Sequence, residues 1–239
     1  MIRLVLFAAL LIYHRLVLCG RFNLTKPKDI EARFGHMDWH ERRIEPRFNI
    51  APTQEILTIV LGPEGERQVQ LATWGLVPFW MRDKPAPQIN ARMETVNTSP
   101  MFRTALAEHR CLIPATGFYE WIRQAKTKTP MHIQLKDGGL FAFAGLWLPG
   151  KRDGLPTATI VTGLPNELVA HIHNRMPVIL RPEDEAAWLD PDEANPKRLL
   201  RTFPAEEMHA YAVKPLVNSF QNEGPEVLEP AQVEQLPLQ

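Results

Sequence analysis

The sequence predicts an α+β fold, a single domain with a curled, barrel-like, mainly antiparallel sheet flanked by short helices. Two observations carry that expectation. Short runs rich in β-branched and aromatic residues recur along the chain with short helical stretches between them. The 22 prolines and 13 glycines among 239 residues imply many turns and short elements. No internal repeat and no low-complexity linker divides the chain, so one domain is expected.

In chain order, Thr25-Lys26-Pro27 starts a short helix carrying Asp29, Ile30 and Phe34, because proline is pre-set for a first helical turn, and Gly35 stops it. Residues 56–61 and 68–76 read as strands joined by the turn Gly62-Pro63-Glu64-Gly65. Ser99-Pro100 caps a helix whose apolar positions Phe102, Ala105 and Leu106 recur at helical spacing. Strands are expected over 118–122, 131–135, 140–146 and 157–162. Short helices follow over 166–171 and from Pro182 to 189, and 208–213 closes as a strand.

A hydrophobic share of 45% with 23% charged residues is globular composition. The 27 basic and 27 acidic residues balance, which excludes a global pull towards nucleic acid. Their distribution is uneven: the chain is basic from Arg82 to Lys136 and mostly acidic after Arg181. A locally basic face is compatible with salt-sensitive phosphate binding, and equally with solvated surface charge. Two cysteines without metal-ligand spacing or a disulfide framework point to a reducing, cytoplasmic setting. Cys111, inside Cys111-Leu112-Ile113-Pro114, reads as a buried small hydrophobe.

Residues 1–18 are nearly uninterrupted apolar residues, broken by Arg3, His14 and Arg15. A secretory signal would lack its small-x-small cleavage site, and a lipoprotein signal would not carry Leu18 before Cys19. A misplaced start is the third reading: Leu is encoded by the initiators TTG or CTG, so Leu18 would be the initiating Met, removed to expose Cys19. The expected division is therefore an apolar extension over 1–18, a misplaced start or a removed segment, a domain over 19–225 and a C-terminal tail over 226–239. At an N-terminus, Cys19 carries a thiol and a free α-amine on adjacent carbons. Such a 1,2-aminothiol condenses with an aldehyde, first to an imine and then to a thiazolidine.

Four polar clusters interrupt apolar or turn-forming stretches. They are Cys19-Gly20-Arg21-Phe22, then Ile89-Asn90-Ala91-Arg92-Met93-Glu94-Thr95 after the Trp-rich stretch 73–80, then Pro114-Ala115-Thr116-Gly117-Phe118-Tyr119-Glu120-Trp121, and His171-Ile172-His173-Asn174-Arg175-Met176-Pro177. Together and in this order, with Asn49-Ile50-Ala51-Pro52 and Val217-Asn218, they resemble the SOS response-associated peptidase family. The resemblance runs from Cys19 to about Asn222. It implies a DNA damage protein that binds single-stranded DNA containing abasic sites and forms a covalent thiazolidine through an N-terminal Cys. Its family pattern begins Met-Cys-Gly-Arg, whereas eighteen residues precede Cys19 here.

The resemblance implies Cys19, Asn90, Glu120 and His173 as catalytic residues. The amine attacks in its neutral form, which a reference pKa near ~8 makes accessible. Glu120 shuttles its proton, and His173, an imidazole titrating near neutrality, promotes sugar-ring opening. Asn90 positions the sugar, while His171 reads as a structural neighbour. Arg21 and Arg92 match the family's phosphate-binding arginines, and Arg175 either joins them or pairs with a core carboxylate. Trp74, Trp80 and Phe48 stack on bases or pack the core, and Pro52 shapes the adjoining loop. Processing that exposes the Cys accounts for the peptidase name, and a lyase step follows if the imine eliminates before ring closure. The residues leave alternatives: a Cys–His hydrolase with Cys19 as internal nucleophile, a non-covalent single-strand binder, or an exported or lipid-anchored protein. No metal or organic cofactor is implied, and the mature form is expected to be a monomer without a membrane attachment.

Overall fold

The computed structural model describes residues 19–39, 44–78, 86–124, 127–150 and 154–231. The expected extension over 1–18, Trp80 and the last residues of the expected tail lie outside them. From the N-terminus run β1 (Phe22–Leu24), α1 (Ile30–Phe34), β2 (Arg47–Ile50), β3 (Glu55–Leu61), β4 (Arg67–Trp74) and β5 (Asn90–Arg92). Next come α2 (Arg103–Glu108), β6 (Arg110–Ala115), β7 (Gly117–Gln124), β8 (Thr127–Leu135), β9 (Phe141–Leu148) and β10 (Thr157–Gly163). The chain ends through α3 (Glu167–Ala170), β11 (Met176–Pro177), α4 (Glu185–Leu189) and β12 (Met208–Ala212).

The fold is α+β, a single domain of two sheets with few short helices. One sheet has the order β12-β8-β7-β1-β2, antiparallel throughout. The other runs β11-β10-β4-β3-β6-β9, with β5 beside β10. In it β9 also pairs with β10, so the sheet curls back upon itself. Only the pairings of β10 with β4 and β5 are parallel among the described strands.

The sheets are welded by aromatic side chains from alternating strand positions. Phe22 meets Trp74 edge-on at 5.2 Å and Phe143 at 5.8 Å, and Phe118 meets Phe143 at 6.1 Å. The opposite face of β1, β7 and β8 is polar: Asn23, Tyr119 and His132 are buried together there. Gly117 makes that meeting possible, since a Cβ on it would lie 2.2 Å from His132 Nε2.

Most expected elements are present with shifted ends. The first helix opens as a 3₁₀ turn, Pro27–Asp29, before α1, and Gly35 ends it at φ 84°. The Cys111–Pro114 run is strand β6, with Cys111 buried as expected. β1, β2 and β5 were not foreseen as strands. Each is three or four residues long and carries an asparagine, and only pairing with a neighbour makes such a segment a strand. Beyond β12, a 3₁₀ turn at Pro225–Leu228 buries Val227 with Tyr119, Val213 and Val217.

Candidate active site

Antiparallel register brings the first and third clusters together. Phe22 lies opposite Phe118 and Asn23 opposite Gly117, and Tyr119 N–H donates to Arg21 O at 2.9 Å. Continued towards the N-terminus, that register carries Cys19 alongside Glu120. The main-chain nitrogen of Cys19 donates to Glu120 Oε1 at 2.7 Å. Both residues are buried, at 3% and 2% exposure. Cys19 has φ 45°, the left-handed region that side-chain-bearing residues seldom occupy.

Glu120 shares a face with Phe118 and therefore points towards the core. Burial raises its carboxyl above the ordinary value of 4.5, while the His173 charge and hydrogen bonds from Cys19 pull it back. Burial, followed by the Glu120 charge, pushes the Cys19 thiol well above its ordinary range. Its Sγ lies 3.9 Å from Arg175 O.

The fourth cluster is set by α3. Asn166 caps that helix by accepting from Val169 N–H at 2.9 Å, and His173 N–H donates to Val169 O at 2.8 Å. His173 Nδ1 accepts from Arg175 N–H at 3.1 Å and lies 3.3 Å from Arg175 O. His171 is exposed at the end of the same helix. The second cluster lies one strand away: Asn90 pairs with Ile160 and Arg92 with Thr162 of β10, while Thr162 also pairs with Pro177 of β11.

The arginines fall into different environments. Arg92 is exposed at the end of β5. Arg21 Nη1 donates to Asn49 Oδ1 and Val217 O, each at 2.7 Å, and burial lowers its basicity. Arg175 grips Glu94 through both terminal nitrogens, at 2.5 and 2.9 Å, and donates to Thr162 O at 2.7 Å. Of the two readings of Arg175, pairing with a carboxylate describes its contacts.

Trp74 requires a correction. It is fully enclosed, packs on Phe22 and donates from Nε1 to Ile89 O at 2.9 Å, so it has no open face for a base. Phe48 is half-buried against Tyr119, Val213 and Val217, and Tyr119 OH donates to its carbonyl at 2.7 Å. Pro52 is half-buried in the β2–β3 loop, beside Thr53 at φ 72°.

Contacts therefore unite Cys19, Glu120, His173 and the Arg175 main chain, with Asn90 on a neighbouring strand. Two supporting residues went unassigned in the sequence. Glu94, two positions after Arg92, is the partner of Arg175. Asn49 is wholly buried and donates to Ser219 O and Asn222 O at 2.9 and 2.7 Å, fixing the loop after Val217. An asparagine between Phe48 and Ile50 was the available signal for the second. Among the described residues, no group of three or more His, Cys, Asp or Glu side chains is placed to hold a metal ion. No described helix is long and apolar enough to cross a membrane.

A family model described as SOS response associated peptidase (SRAP) matches residues 18–220. The abasic site processing protein YoqW of Bacillus subtilis is 44% identical over 223 residues, covering 89% of this chain and 99% of the relative. The abasic site processing protein YedK of Escherichia coli is 31% identical, covering 89% of this chain and all of the relative. A solved structure from Bacteroides thetaiotaomicron superposes with a TM-score of 0.78 at 28% identity, over 89% of this chain and all of that one.

Proposed function

The chain belongs to the SOS response associated peptidase (SRAP) family, and from that premise we propose that it processes abasic sites in DNA by capturing the sugar aldehyde on Cys19. The observation that carries this reading is the 2.7 Å contact between the Cys19 nitrogen and Glu120 Oε1, with the thiol of the same residue beside them. In a chain that starts at Cys19 that nitrogen is an α-amine, and a buried carboxylate in direct contact is its proton acceptor.

His173, as imidazolium, gives a proton to the sugar ring oxygen, the proton of the anomeric hydroxyl passes back to the neutral imidazole, and the hemiacetal opens to the aldehyde. The neutral amine adds to the carbonyl carbon, and its surplus proton passes to Glu120. Glu120 hands that proton to the alkoxide, giving the carbinolamine, then carries the remaining N–H proton to its hydroxyl, which leaves as water, and a neutral imine remains. The sulfur then bonds to the imine carbon, the C=N π pair goes to nitrogen, and the thiol proton follows it there. The product is a thiazolidine, with one water released in all. A lyase outcome requires the imine to lose the 3′ substituent by β-elimination before the sulfur closes the ring.

Single-stranded DNA is the proposed substrate, because the lesion sugar must reach a buried site without displacing a paired strand. The hydrolase alternative is less well supported. An internal nucleophile needs a readily formed thiolate, whereas burial and Glu120 both push this thiol upwards.

The test is a denaturing-gel assay with the form beginning at Cys19 and a single-stranded oligonucleotide bearing one abasic site. A heat-stable shifted band, absent with Cys19→Ala, is expected. No band with folded protein overturns the covalent reading, and retained non-covalent retardation would then identify a binder.

A further inference from the structure

We propose that Glu94 is a positioning residue for both reacting side chains, acting through the main chain of Arg175. The inference rests on the roles given above to Cys19 and His173, and adds a residue that touches neither.

The Arg175 main chain is shared. Its N–H donates to His173 Nδ1 at 3.1 Å, and its carbonyl lies 3.3 Å from the same nitrogen. That carbonyl also faces Cys19 Sγ at 3.9 Å. A main-chain N–H can only donate, so an unprotonated Nδ1 accepts from it, and the neutral ring carries its proton on Nε2. When the ring is protonated at Nδ1, the adjacent carbonyl is the acceptor. The main chain of one residue thus holds the ring in a single orientation in both charge states and leaves Nε2 for the substrate. The same carbonyl gives the thiol hydrogen a direction.

Nothing in β11 is long enough to fix this main chain, since that strand is only Met176–Pro177. The side chain of Arg175 fixes it instead. Its bidentate pairing with Glu94 is a planar fork, which constrains rotation as well as distance. Thr162 O, at 2.7 Å, completes the grip from β10. Glu94 is itself anchored, because Lys197 Nζ donates to its carbonyl oxygen at 3.2 Å and to Asn97 Oδ1 at 3.2 Å. Its carboxyl is held below the ordinary range, chiefly by the hydrogen bond from Arg175. The fork links the Asn90–Glu94 cluster to the His173–Pro177 cluster, and β10 pairs with a strand from each.

The experiment uses the full chain and two variants, Glu94→Gln and Glu94→Asp. Imidazole nitrogen NMR reads the His173 tautomer without DNA. Single-turnover crosslinking by the forms starting at Cys19 reads the chemistry, and anisotropy with an intact single strand reads binding. The wild type is expected to show neutral His173 protonated at Nε2. Glu94→Gln is expected to show mixed tautomers and a crosslinking rate about 10- to 100-fold lower, the scale of a misplaced reacting group, with no loss of affinity. Glu94→Asp, which keeps the charge, is expected to recover part of both signals. Neutral wild-type His173 protonated mainly at Nδ1 overturns the proposal, as does Glu94→Gln with unchanged tautomer and rate. If the wild type forms no crosslink, the covalent function fails, and the tautomer comparison still decides the role of Glu94. If Glu94→Gln does not fold, the wild-type tautomer and the Glu94→Asp comparison decide it.

Discussion

The main-chain nitrogen of Cys19 and the Oε1 of Glu120 are 2.7 Å apart although 101 residues separate them in the chain. Burying a carboxylate beside a thiol is unfavourable for the fold. The Glu120 carboxyl is raised and the Cys19 thiol is raised with it, each by burial first. Such an arrangement points to chemistry rather than stability.

Replacing Glu120 with Gln is therefore expected to have opposite effects on rate and stability. Crosslinking should slow by about 10²- to 10⁴-fold, the usual contribution of a positioned acid–base group. The folded protein holds the Glu120 proton more tightly than an unfolded chain does, where the ordinary value is 4.5. The stability due to that proton is complete below this value and is lost as pH rises through the higher folded value. Glutamine is neutral throughout, so Glu120→Gln should melt above the wild type at about pH 8 and converge with it towards about pH 4. A variant that melts lower at the alkaline end would sink this account.

His132 titrates in the opposite sense. Burial pushes its imidazole down from 6.5 to about 3, with His209 adding to the effect. Asn23 Nδ2 lies 2.8 Å from Nε2, whereas Nδ1 has no hydrogen-bond partner among the described residues. A depressed folded value means that stability is present above 6.5 and is lost as pH falls towards about 3. The slope approaches about 1.4 kcal/mol per pH unit where this residue alone titrates. His132→Gln keeps an acceptor for Asn23 and removes the titration. Urea midpoints measured from neutral to acid pH should fall less steeply for the variant, and parallel curves would exclude His132 as a source of acid sensitivity.

The contrast between these residues shows what the sequence made legible. Glu120 and His173 were readable because each sits in a polar cluster whose order along the chain is distinctive. Around Glu120, β7 and β8 were readable from apolar runs and turn residues, whereas their neighbour β1 was not. Trp74 misled: its neighbourhood is Trp-rich, and composition cannot distinguish an aromatic facing a base from one facing Phe22 across a sheet. Asn23 and His132 carried no local signal, because their partners lie on other strands and exist only once register is set. Arg21 is expected from the sequence to hold phosphate, and Arg175 either phosphate or a carboxylate. A guanidinium is drawn to carboxylates and carbonyls as readily as to phosphates, and tertiary neighbours decide between them.

That distinction separates the three arginines experimentally. Arg92 is exposed on β5, so it is the one suited to a phosphate contact. Arg92→Ala should reduce the salt dependence of binding to an intact single strand by about 0.7 in log–log slope, the value for one phosphate contact. Its stability should change by no more than about 0.5 kcal/mol, as for other surface positions. Arg21→Ala removes the donor to Asn49 Oδ1 and Val217 O beneath the surface. Stranding those acceptors should cost about 1–3 kcal/mol in urea unfolding and leave the salt slope unchanged. Anisotropy titrations across a salt series, paired with urea curves, make the comparison. If Arg21→Ala lowered the slope as far as Arg92→Ala does while stability held, Arg21 would be a phosphate ligand in the complex, and its bonds to Asn49 and Val217 would have to break on binding.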